Sequence, residues 1–404
     1  MINRVAIINT CDWGSTGRIA KGLLLYYKEA GVDAIFCYGR GVKKNTDDYY
    51  RFCTPIDVLI HYCGKFLTGR LNGNSILATK RLINKFKRKG ITQLFIINLH
   101  GYVINERLFW DYVAQSGIRV VYIMADESAF LGNCTYRNGC ENYKDGCVLC
   151  EQNRGMSKII SPNASSKAFA IKKQAYERVD KIVFVGPEFV IKSASSSPLV
   201  PRERMEIVDE AIDVRINTPR DTTALRRELK INDNQIVIGC VAPTSYPRKG
   251  VRYFIEAAKR MEHDDRFVFV QVGYDLKNTT DLPSNYIPKG FINNQTELSY
   301  YYSLFDLFVF PSLQDTMPNA CLDALACGTP LLCFNISGMP YLADESVMTL
   351  VDARDVDQMV ESISQTKKKD SRVIDSCREY ALNRYDNRKY FERLATIMNS
   401  TSIC

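Results

Sequence analysis

Two carboxylates eight positions apart give the sequence its most informative segment. Asp315 and Asp323 follow an apolar run, Leu307–Phe310, and Pro318 and Gly328 bracket a predicted short helix with Pro318 at its first position. Eight helical residues span about 12 Å, whereas an acid–base pair acting on one bond is about 5–9 Å apart. The spacing suits contacts of the two carboxylates with the hydroxyl groups at opposite ends of a nucleotide sugar, with the pyrophosphate between them. The alternative is that Asp315 is an ordinary loop or cap residue and that Asp323 is a solvated residue on the helix surface.

Anion binding is predicted at two helix starts. The free N–H groups beside Thr316, Met317, Pro318 and Asn319, together with the helix dipole, favour a negative charge there. Arg248 and Lys249 precede a second predicted helix. Cations at that end oppose the dipole, so a bound anion would explain them. A solvated basic turn is the equal alternative.

Two further motifs carry weaker signals. Gly14 and Gly17 follow the first predicted strand and open a helix, where glycine allows a ligand to approach the backbone, but the spacing is not that of a dinucleotide fingerprint. Asp355-Val-Asp357 is the one Asp-x-Asp match. It precedes an apolar-periodic segment and is better interpreted as a helix N-cap with a first-turn acid than as a metal site.

Four of the fourteen cysteines form a cluster within seventeen residues: Cys134, Cys140, Cys147 and Cys150. Four thiolates can hold one tetrahedral zinc ion, but this spacing contains a single C-x2-C pair. A structural zinc and a thiol-rich loop without metal therefore both remain open. A catalytic cysteine is disfavoured because no histidine lies nearby to act as its base.

The segment Lys80–Lys89 places six cations around Leu82, Ile83 and Phe86. A basic amphipathic helix of this kind is suited to an anionic membrane surface. A solvated surface helix is the common alternative, and we favour the membrane slightly.

Short apolar, β-branched runs separated by helical segments must position these residues. Such runs are typical of buried parallel strands in βαβ units, and they form two sets in series. The first set is Val5–Asn9, Ala34–Tyr38, Leu94–Asn98, Val120–Met124 and Lys181–Val185, and the second is Ile236–Ala242, Phe267–Val272, Leu307–Phe310 and Pro330–Phe334. The pattern predicts an α/β chain with two Rossmann-like domains. We place them at 1–215 and 216–387, with 388–404 packing back on the first.

Composition excludes several classes of protein. The chain has 404 residues with 53 Lys and Arg against 45 Asp and Glu, which gives a net charge of +8. Its basic residues are not interleaved with aromatic residues as they are in a nucleic-acid binder. The chain has three histidines, which largely excludes mechanisms that need several histidine ligands or histidine bases. The first apolar run is a strand and not an export signal, and no apolar window approaches about 18 residues. These features predict a cytoplasmic protein with reduced thiols.

The motifs together resemble a known family. Pro311–Pro330 resembles the carboxylate-x7-carboxylate signature of the retaining family 4 glycosyltransferases, and Pro247–Gly250 resembles their phosphate-binding Lys-Gly turn. Asn98–Gly101 with Asp126–Cys150 is similar to the bacterial branch that makes colanic acid and other surface polysaccharides. The resemblance covers nearly the whole chain.

The resemblance implies a GT-B fold, with two Rossmann-like domains facing across a cleft. It implies a retaining transferase that moves a sugar from a UDP- or GDP-linked donor to a polyprenyl-linked saccharide, at the inner face of the plasma membrane and without a catalytic metal. Lys249 and Arg248 would neutralise the pyrophosphate. Asp315 would contact donor-sugar hydroxyls and Asp323 the ribose. Gly14 and Gly17 would approach the donor or acceptor, and His100 and Asp126 would line the acceptor side.

The sequence departs from the family pattern at several of these positions. Asp315 and Asp323 stand where Glu is usual, at least at the second position, and Ala125 stands where the family has His. A catalytically weak or inactive nucleotide-sugar-binding protein is therefore the alternative function. A GT-B epimerase is disfavoured by the scattered histidines, and a zinc-bearing nucleic-acid binder is the least supported reading.

Overall fold

The chain folds around two separate parallel sheets. The computed structural model describes residues 4–44, 46–69, 72–148, 150, 152, 161–277 and 281–400. Contacts divide these residues into a first unit within Met1–Asp209 and Arg388–Cys404, and a second unit within Glu210–Asn387. Both units are α/β, so the prediction of two Rossmann-like sheets in series is confirmed.

The first unit contains a seven-stranded parallel sheet in the order β3-β2-β1-β4-β5-β6-β7. Its strands are β1 Arg4–Cys11, β2 Asp33–Arg40, β3 Tyr49–Arg51, β4 Gln93–Ile96, β5 Arg119–Ile123, β6 Ile182–Gly186 and β7 Met205–Ile207. Its helices are α1 Gly14–Glu29, α2 Pro55–Thr68, α3 Ile76–Lys89, α4 Glu106–Ser116, α5 Ala164–Arg178 and α6 Glu188–Ala194. The inner strands β4 and β6 are buried along their whole length because both faces of the sheet are covered.

The second unit contains a six-stranded parallel sheet in the order β10-β9-β8-β11-β12-β13. Its strands are β8 Ile236–Val241, β9 Phe267–Val272, β10 Tyr286–Lys289, β11 Leu307–Phe310, β12 Leu331–Phe334 and β13 Met348–Val351. Its helices are α7 Thr223–Glu228, α8 Val251–Arg260, α9 Gln295–Leu304, α10 Asn319–Ala326, α11 Val356–Ser364 and α12 Ser371–Arg384. Asp355 caps α11 by accepting from the Gln358 N–H at 3.0 Å, so its interpretation as an N-cap is confirmed.

A further helix, α13 (Asn387–Asn399), follows the second unit in the sequence and packs on the first. The ring of Phe391 lies so close to α1 that a Cβ on Gly22 would be 2.6 Å from it. Arg119, at the start of β5, donates to the Met398 carbonyl at 2.9 Å. The segment Glu210–Asp213 lies in the second unit, where the Ile212 N–H donates to the Tyr385 carbonyl at 3.0 Å.

The basic segment Lys80–Lys89 forms most of α3, and the contact with an anionic membrane predicted for this segment stays a prediction. Leu82, Ile83 and Phe86 are all buried in the core of the first unit. Helical periodicity turns these residues toward the sheet, so they cannot enter a lipid surface. Among the described residues, no helix is long and apolar enough to cross a bilayer.

Candidate active site

The carboxyl edge of the second sheet brings together the residues predicted to bind an anion. β8 and β11 are neighbours, and the strand order runs away from them on both sides. Loops leaving two such strands diverge, and open α/β sheets bind ligands at that point. Arg248 and Lys249 follow β8, and Asp315 follows β11. The topology therefore joins residues that are about 66 positions apart.

Asp315 holds both cations in one ionised group. Its Oδ1 lies 3.0 Å from Arg248 Nη1, and its Oδ2 lies 2.8 Å from Lys249 Nζ. The Ser312 hydroxyl donates to Oδ2 at 2.7 Å. Burial raises the pKa of Asp315, but the charges of Lys249 and Arg248 outweigh it and hold that pKa below its ordinary value. Two cations and one carboxylate leave this group a net charge of +1 for a ligand.

A glycine fixes the turn that carries the cations. Gly250 has a φ of +68°, which favours glycine, and a Cβ there would lie 1.8 Å from the Pro311 carbonyl oxygen. The Leu313 N–H donates to the Arg248 carbonyl at 2.7 Å, which ties the two loops together. The positions of Arg248 and Lys249 are thus set by backbone contacts as well as by Asp315.

The loop from Asp315 to Asn319 is buried and fixed from the other side by Gly338. The Gly338 N–H donates to the Asp315 carbonyl at 3.0 Å, and a Cβ on Gly338 would be 1.8 Å from the Thr316 carbonyl oxygen. Helix α10 begins at Asn319, so Pro318 is its N-cap and not its first helical residue as predicted. The predicted donor-binding residues Thr316, Met317, Pro318 and Asn319 all lie on this stretch.

Asp323 lies on α10 and is only 2% exposed. The alternative of a solvated carboxylate on the helix surface is therefore wrong. A buried carboxylate on the helix that follows the loop is consistent with a binding role, although Asp315, Arg248 and Lys249 form the group described above without it.

In the first unit the equivalent position lies between β1 and β4, where the strand order again diverges. The His100 side chain, in the loop after β4, bonds Asp126 through Nε2 and Oδ2 at 2.7 Å. Burial raises the pKa of Asp126, but the interaction with His100 outweighs it and lowers that pKa below its ordinary value. The two residues predicted to line the acceptor side therefore form one pair.

Gly14 and Gly17 lie beside the same divergence point, at the start of α1. Gly14 has a φ of +74° and open space where a Cβ would be. A Cβ on Gly17 would lie 2.8 Å from the Asp12 carbonyl carbon. Gly17 is thus explained by close packing within the chain, whereas only Gly14 leaves room for a ligand.

A polar cavity of about 100 Å³ adjoins His100 in the first unit. Asn105, Glu106, Asn133 and Lys172 are among the residues that line it. Lys172 is buried, and its ammonium donates to the carbonyls of Ser128, Leu131 and Gly132 at 2.7, 2.9 and 3.2 Å. The Glu106 carboxylate lies 3.9 Å away. Lys172 therefore anchors the loop that follows Asp126.

Lys172 was missed by the sequence reasoning, although its position carries a signal. It lies on α5 at helical spacing from Ala168, Phe169, Ala175 and Tyr176, all of which are buried. A lysine at i+4 within an apolar stripe predicts a buried cation with specific acceptors. Its neighbour in the sequence is also a lysine, so the pair resembles an ordinary solvated charge cluster.

The four clustered cysteines line one small cavity next to Tyr143. The sulfurs of Cys134 and Cys150 form a hydrogen bond, which together with burial raises the pKa of Cys134. The Gly132 N–H donates to Cys147 Sγ at 3.3 Å. Within the described residues, no three His, Cys, Asp or Glu side chains are already arranged to hold a metal ion.

Comparison with known proteins finds a family model that matches part of the second unit. Residues 235–368 match the family described as glycosyl transferases group 1. This span contains the group formed by Arg248, Lys249 and Asp315, and it also contains Asp323.

Individual relatives align over part of their length. The chain is 27% identical over 173 residues to the alpha-galactosylglucosyldiacylglycerol synthase of Streptococcus pneumoniae, covering 39% of this chain and 44% of that protein. It is 24% identical to the UDP-Gal:alpha-D-GlcNAc-diphosphoundecaprenol alpha-1,3-galactosyltransferase of Escherichia coli, covering 51% of this chain and 56% of that protein. The chain thus matches about half the length of these two relatives.

The fold is shared over the full chain with a solved structure. WaaG, a glycosyltransferase involved in lipopolysaccharide biosynthesis, superposes with a TM-score of 0.68 over 98% of this chain and 100% of its own. The sequence identity is 16%, so this likeness concerns the fold alone.

Proposed function

Because residues 235–368 form a glycosyl transferases group 1 domain within a two-sheet GT-B chain, we propose that the protein is a retaining glycosyltransferase of bacterial surface polysaccharide assembly. It would move a sugar from a nucleotide-sugar donor to a lipid-linked saccharide. The observation that carries the proposal is the Arg248–Lys249–Asp315 group, a positive charge of fixed geometry at the point where the strand order diverges.

In this proposal the second unit holds the donor. Lys249 and Arg248 neutralise the pyrophosphate, and their charge takes the place of a metal ion at the leaving group. Asp315 serves as a positioning residue, because its carboxylate is engaged by both cations and by Ser312. This differs from the contact with donor-sugar hydroxyls that the family resemblance implies for Asp315. Asp323 and the loop before α10 bind the rest of the donor.

The reaction breaks the bond between the anomeric carbon and the donor's β-phosphate oxygen. The acceptor hydroxyl forms its new bond from the same face, and its proton passes to the leaving phosphate, so the configuration is retained. Asp315 is poorly suited to act as a covalent nucleophile, since its oxygens bond Arg248, Lys249 and Ser312. The His100–Asp126 pair and the cavity beside it belong to the acceptor side.

The acceptor is proposed to be a polyprenyl-linked saccharide at the inner face of the plasma membrane. The support comes from two relatives, one named for a diacylglycerol product and one for a diphosphoundecaprenol substrate. The donor of the second is named as UDP-galactose. A uridine or guanosine diphosphate sugar is therefore the class of donor to test first.

A thermal-shift screen of UDP- and GDP-sugars tests the donor site. A ligand present at a hundred times its Kd stabilises the folded state by about 2.7 kcal/mol, which for a unit of this size raises Tm by roughly 5–10 °C. We expect one nucleotide sugar to produce such a shift, and the unphosphorylated nucleoside to produce less. If every nucleotide sugar leaves Tm unchanged, the donor-site assignment is wrong.

We also propose that the four-cysteine cluster holds a structural zinc ion. The support is the donor set itself, because Cys134, Cys140, Cys147 and Cys150 line a single cavity and thiolates are preferred zinc ligands. Binding would require the thiols to lose their protons and move closer together. The N–H of Gly132 already points at Cys147, as expected for a thiolate ligand with an outer hydrogen bond.

Elemental analysis of purified protein decides the zinc proposal. We expect about one equivalent of zinc, and its removal by a chelator should lower Tm because metal binding adds to the folding free energy. A control preparation with Cys134 and Cys147 both changed to serine should hold no zinc. Less than roughly a tenth of an equivalent in the unmodified protein would exclude the site.

A further inference from the structure

The carboxyl edge of the first sheet brings Arg40 against the backbone that follows His100. Arg40 is the last residue of β2, and the loop that carries His100 follows β4, two strands away in the sheet. Gly101 has a φ of +100°, and a Cβ there would lie 3.2 Å from Arg40 Nη2 and 2.7 Å from Thr10 Cγ2. Glycine is therefore needed at position 101 for the guanidinium to lie so close to the residue next to His100.

The guanidinium of Arg40 is not satisfied by the protein itself. Its Nε is buried, and no described residue supplies a hydrogen-bond acceptor for it or a carboxylate that forms an ion pair with the side chain. Arg51, at the end of the neighbouring strand β3, shows the ordinary arrangement, because its Nε and Nη1 donate to the carbonyls of Cys53 and Gly41, each at 2.9 Å. A buried donor without an acceptor costs free energy, so Arg40 is best explained by a ligand that brings an anionic oxygen.

Asp12 does not neutralise Arg40, although the two backbones are hydrogen-bonded. The Asp12 N–H donates to the Arg40 carbonyl at 3.2 Å. The Asp12 carboxylate is directed at Gly41, whose φ is +141°, and lies so close to it that any Cβ there would overlap the carboxylate. The carboxylate oxygens thus face the backbone of Gly41, and the charge of Arg40 remains available for an anion.

Trp13 adds an exposed aromatic surface to the same edge of the sheet. It directly precedes α1 and is 53% exposed, and its ring centre lies 5.9 Å from the Arg40 guanidinium carbon. The next residue, Gly14, has open space where a Cβ would be. An indole beside an arginine offers an apolar face together with a planar set of donors. That combination matches a sugar ring, which has a face of C–H groups, carrying an anionic substituent.

Hydrogen bonds hold the His100 loop in place next to Arg40. The hydroxyl of Thr10, on β1, bonds the His100 carbonyl and lies 3.1 Å from Asn98 Oδ1. The His100 N–H donates to the same Asn98 oxygen at 3.0 Å. The backbone that carries His100 is therefore fixed to β1, the strand beside β2, before any ligand binds.

We propose that Arg40 and Trp13 form a subsite for an anionic saccharide acceptor. The sugar ring packs on the Trp13 indole, and the Arg40 guanidinium binds a phosphate or carboxylate oxygen of the same molecule. The anionic group is either a diphosphate at the anomeric carbon or the carboxylate of an acidic sugar, since both present the oxygens that arginine binds. The inference rests on the proposed function for its identification of the ligand as the acceptor, whose reacting hydroxyl then lies toward the His100–Asp126 pair.

Quenching of tryptophan fluorescence by acrylamide tests the subsite in the full-length protein without any donor. The chain has two tryptophans, and Trp110 is 1% exposed, so the quencher reports on Trp13. Hexyl N-acetylglucosaminyl diphosphate is compared with hexyl N-acetylglucosaminide, and hexyl glucuronide with hexyl glucoside. We expect at least one anionic probe to protect Trp13 with a Kd at least about tenfold below that of its neutral counterpart. The anionic probe that does so identifies the source of the charge.

Three variants assign the effect to Arg40. Arg40→Gln should weaken binding of that anionic probe at least about tenfold and leave binding of its neutral counterpart within about twofold. Arg40→Lys keeps the charge but not the planar fork, so it should recover only part of the affinity. Lys43→Gln removes an exposed cation nearby in the sequence and should change neither Kd more than about twofold.

Trp13→Ala removes the surface on which the sugar packs, so its binding is measured by equilibrium dialysis of the probe. We expect its Kd to rise at least about fivefold and Trp13→Phe to retain most of the affinity. The shift of Tm with nucleotide sugars should be unchanged in every variant, because the donor residues lie in the second unit. If nucleotide sugars leave Tm unchanged while the probe binds normally, the donor assignment fails and the first unit keeps a saccharide subsite.

Three kinds of result would overturn the proposal. The first is equal protection of Trp13 by the anionic and neutral members of both pairs, or protection by none of them. The second is unchanged binding of the anionic probe to Arg40→Gln, or to Arg40→Lys if the glutamine variant does not fold. The third is protection of Trp13 by UDP or GDP alone in competition with the probe, since the donor's phosphates would then occupy Arg40.

Discussion

Replacing Lys249 with Met should lower kcat/KM for the donor by about two to three orders of magnitude. The ammonium is held 2.8 Å from Asp315 and 5.0 Å from the centre of the Phe310 ring, so its position is fixed before a donor binds. Removing one fixed, charge-stabilising donor from an enzyme typically costs about 10²–10³ in rate. The effect should appear mainly in kcat, because the leaving phosphate gains charge in the transition state.

Two variants distinguish this effect from a loss of folding. Lys249→Met leaves Arg248 and Ser312 on Asp315, so the carboxylate keeps partners and the Tm should fall by only a few degrees. Lys259→Met removes an exposed cation from the last turn of α8 and should change kcat/KM less than about twofold. A Lys249→Met protein that keeps more than about a third of its activity would place the phosphate site elsewhere.

Replacing Lys172 with Met should lower the unfolding free energy of the first unit by about 3–5 kcal/mol. Met has nearly the same length but cannot donate, so the carbonyls of Ser128, Leu131 and Gly132 lose the ammonium that they share. Buried acceptors without a donor are more costly than the net gain from the bonds themselves. Both tryptophans of the chain, Trp13 and Trp110, lie in the first unit, so their fluorescence during urea unfolding reports on that unit.

The adjacent lysine supplies the control. Lys173 follows Lys172 on α5 and is exposed, and Lys173→Met should change the unfolding free energy by no more than about 0.5 kcal/mol. If Lys172→Met also stays within about 1 kcal/mol of the unmodified protein, the ammonium does not hold the loop after Asp126.

The interior of both sheets was predictable, and the edges were not. The nine strands predicted from apolar runs correspond to the nine inner strands of the two sheets, which are rich in Val, Ile, Leu and Phe because both of their faces are covered. The four strands that were missed, β3, β7, β10 and β13, are the four sheet edges. They are three or four residues long and partly exposed, so they lack the apolar run that the prediction used.

The sequence was sufficient to predict which residues form the candidate site, but not which of them pair with one another. The resemblance selected Arg248, Lys249 and Asp315, and the strand order explains why they meet. That Asp315 holds the two cations could not be inferred, since it depends on how two loops cross at Gly250.

The route of the chain through the two units has a consequence for synthesis on the ribosome. The Phe391 ring that packs against Gly22 belongs to α13, which is translated only after Glu210–Asn387. At about 5–20 residues per second, those intervening residues occupy the ribosome for roughly 10–35 s. By the end of that interval all strands of the second unit have been translated, whereas α1 still exposes the surface that α13 will cover. The unit that is translated first therefore completes its fold last, and its unfinished surface is the part of the nascent chain most open to chaperones.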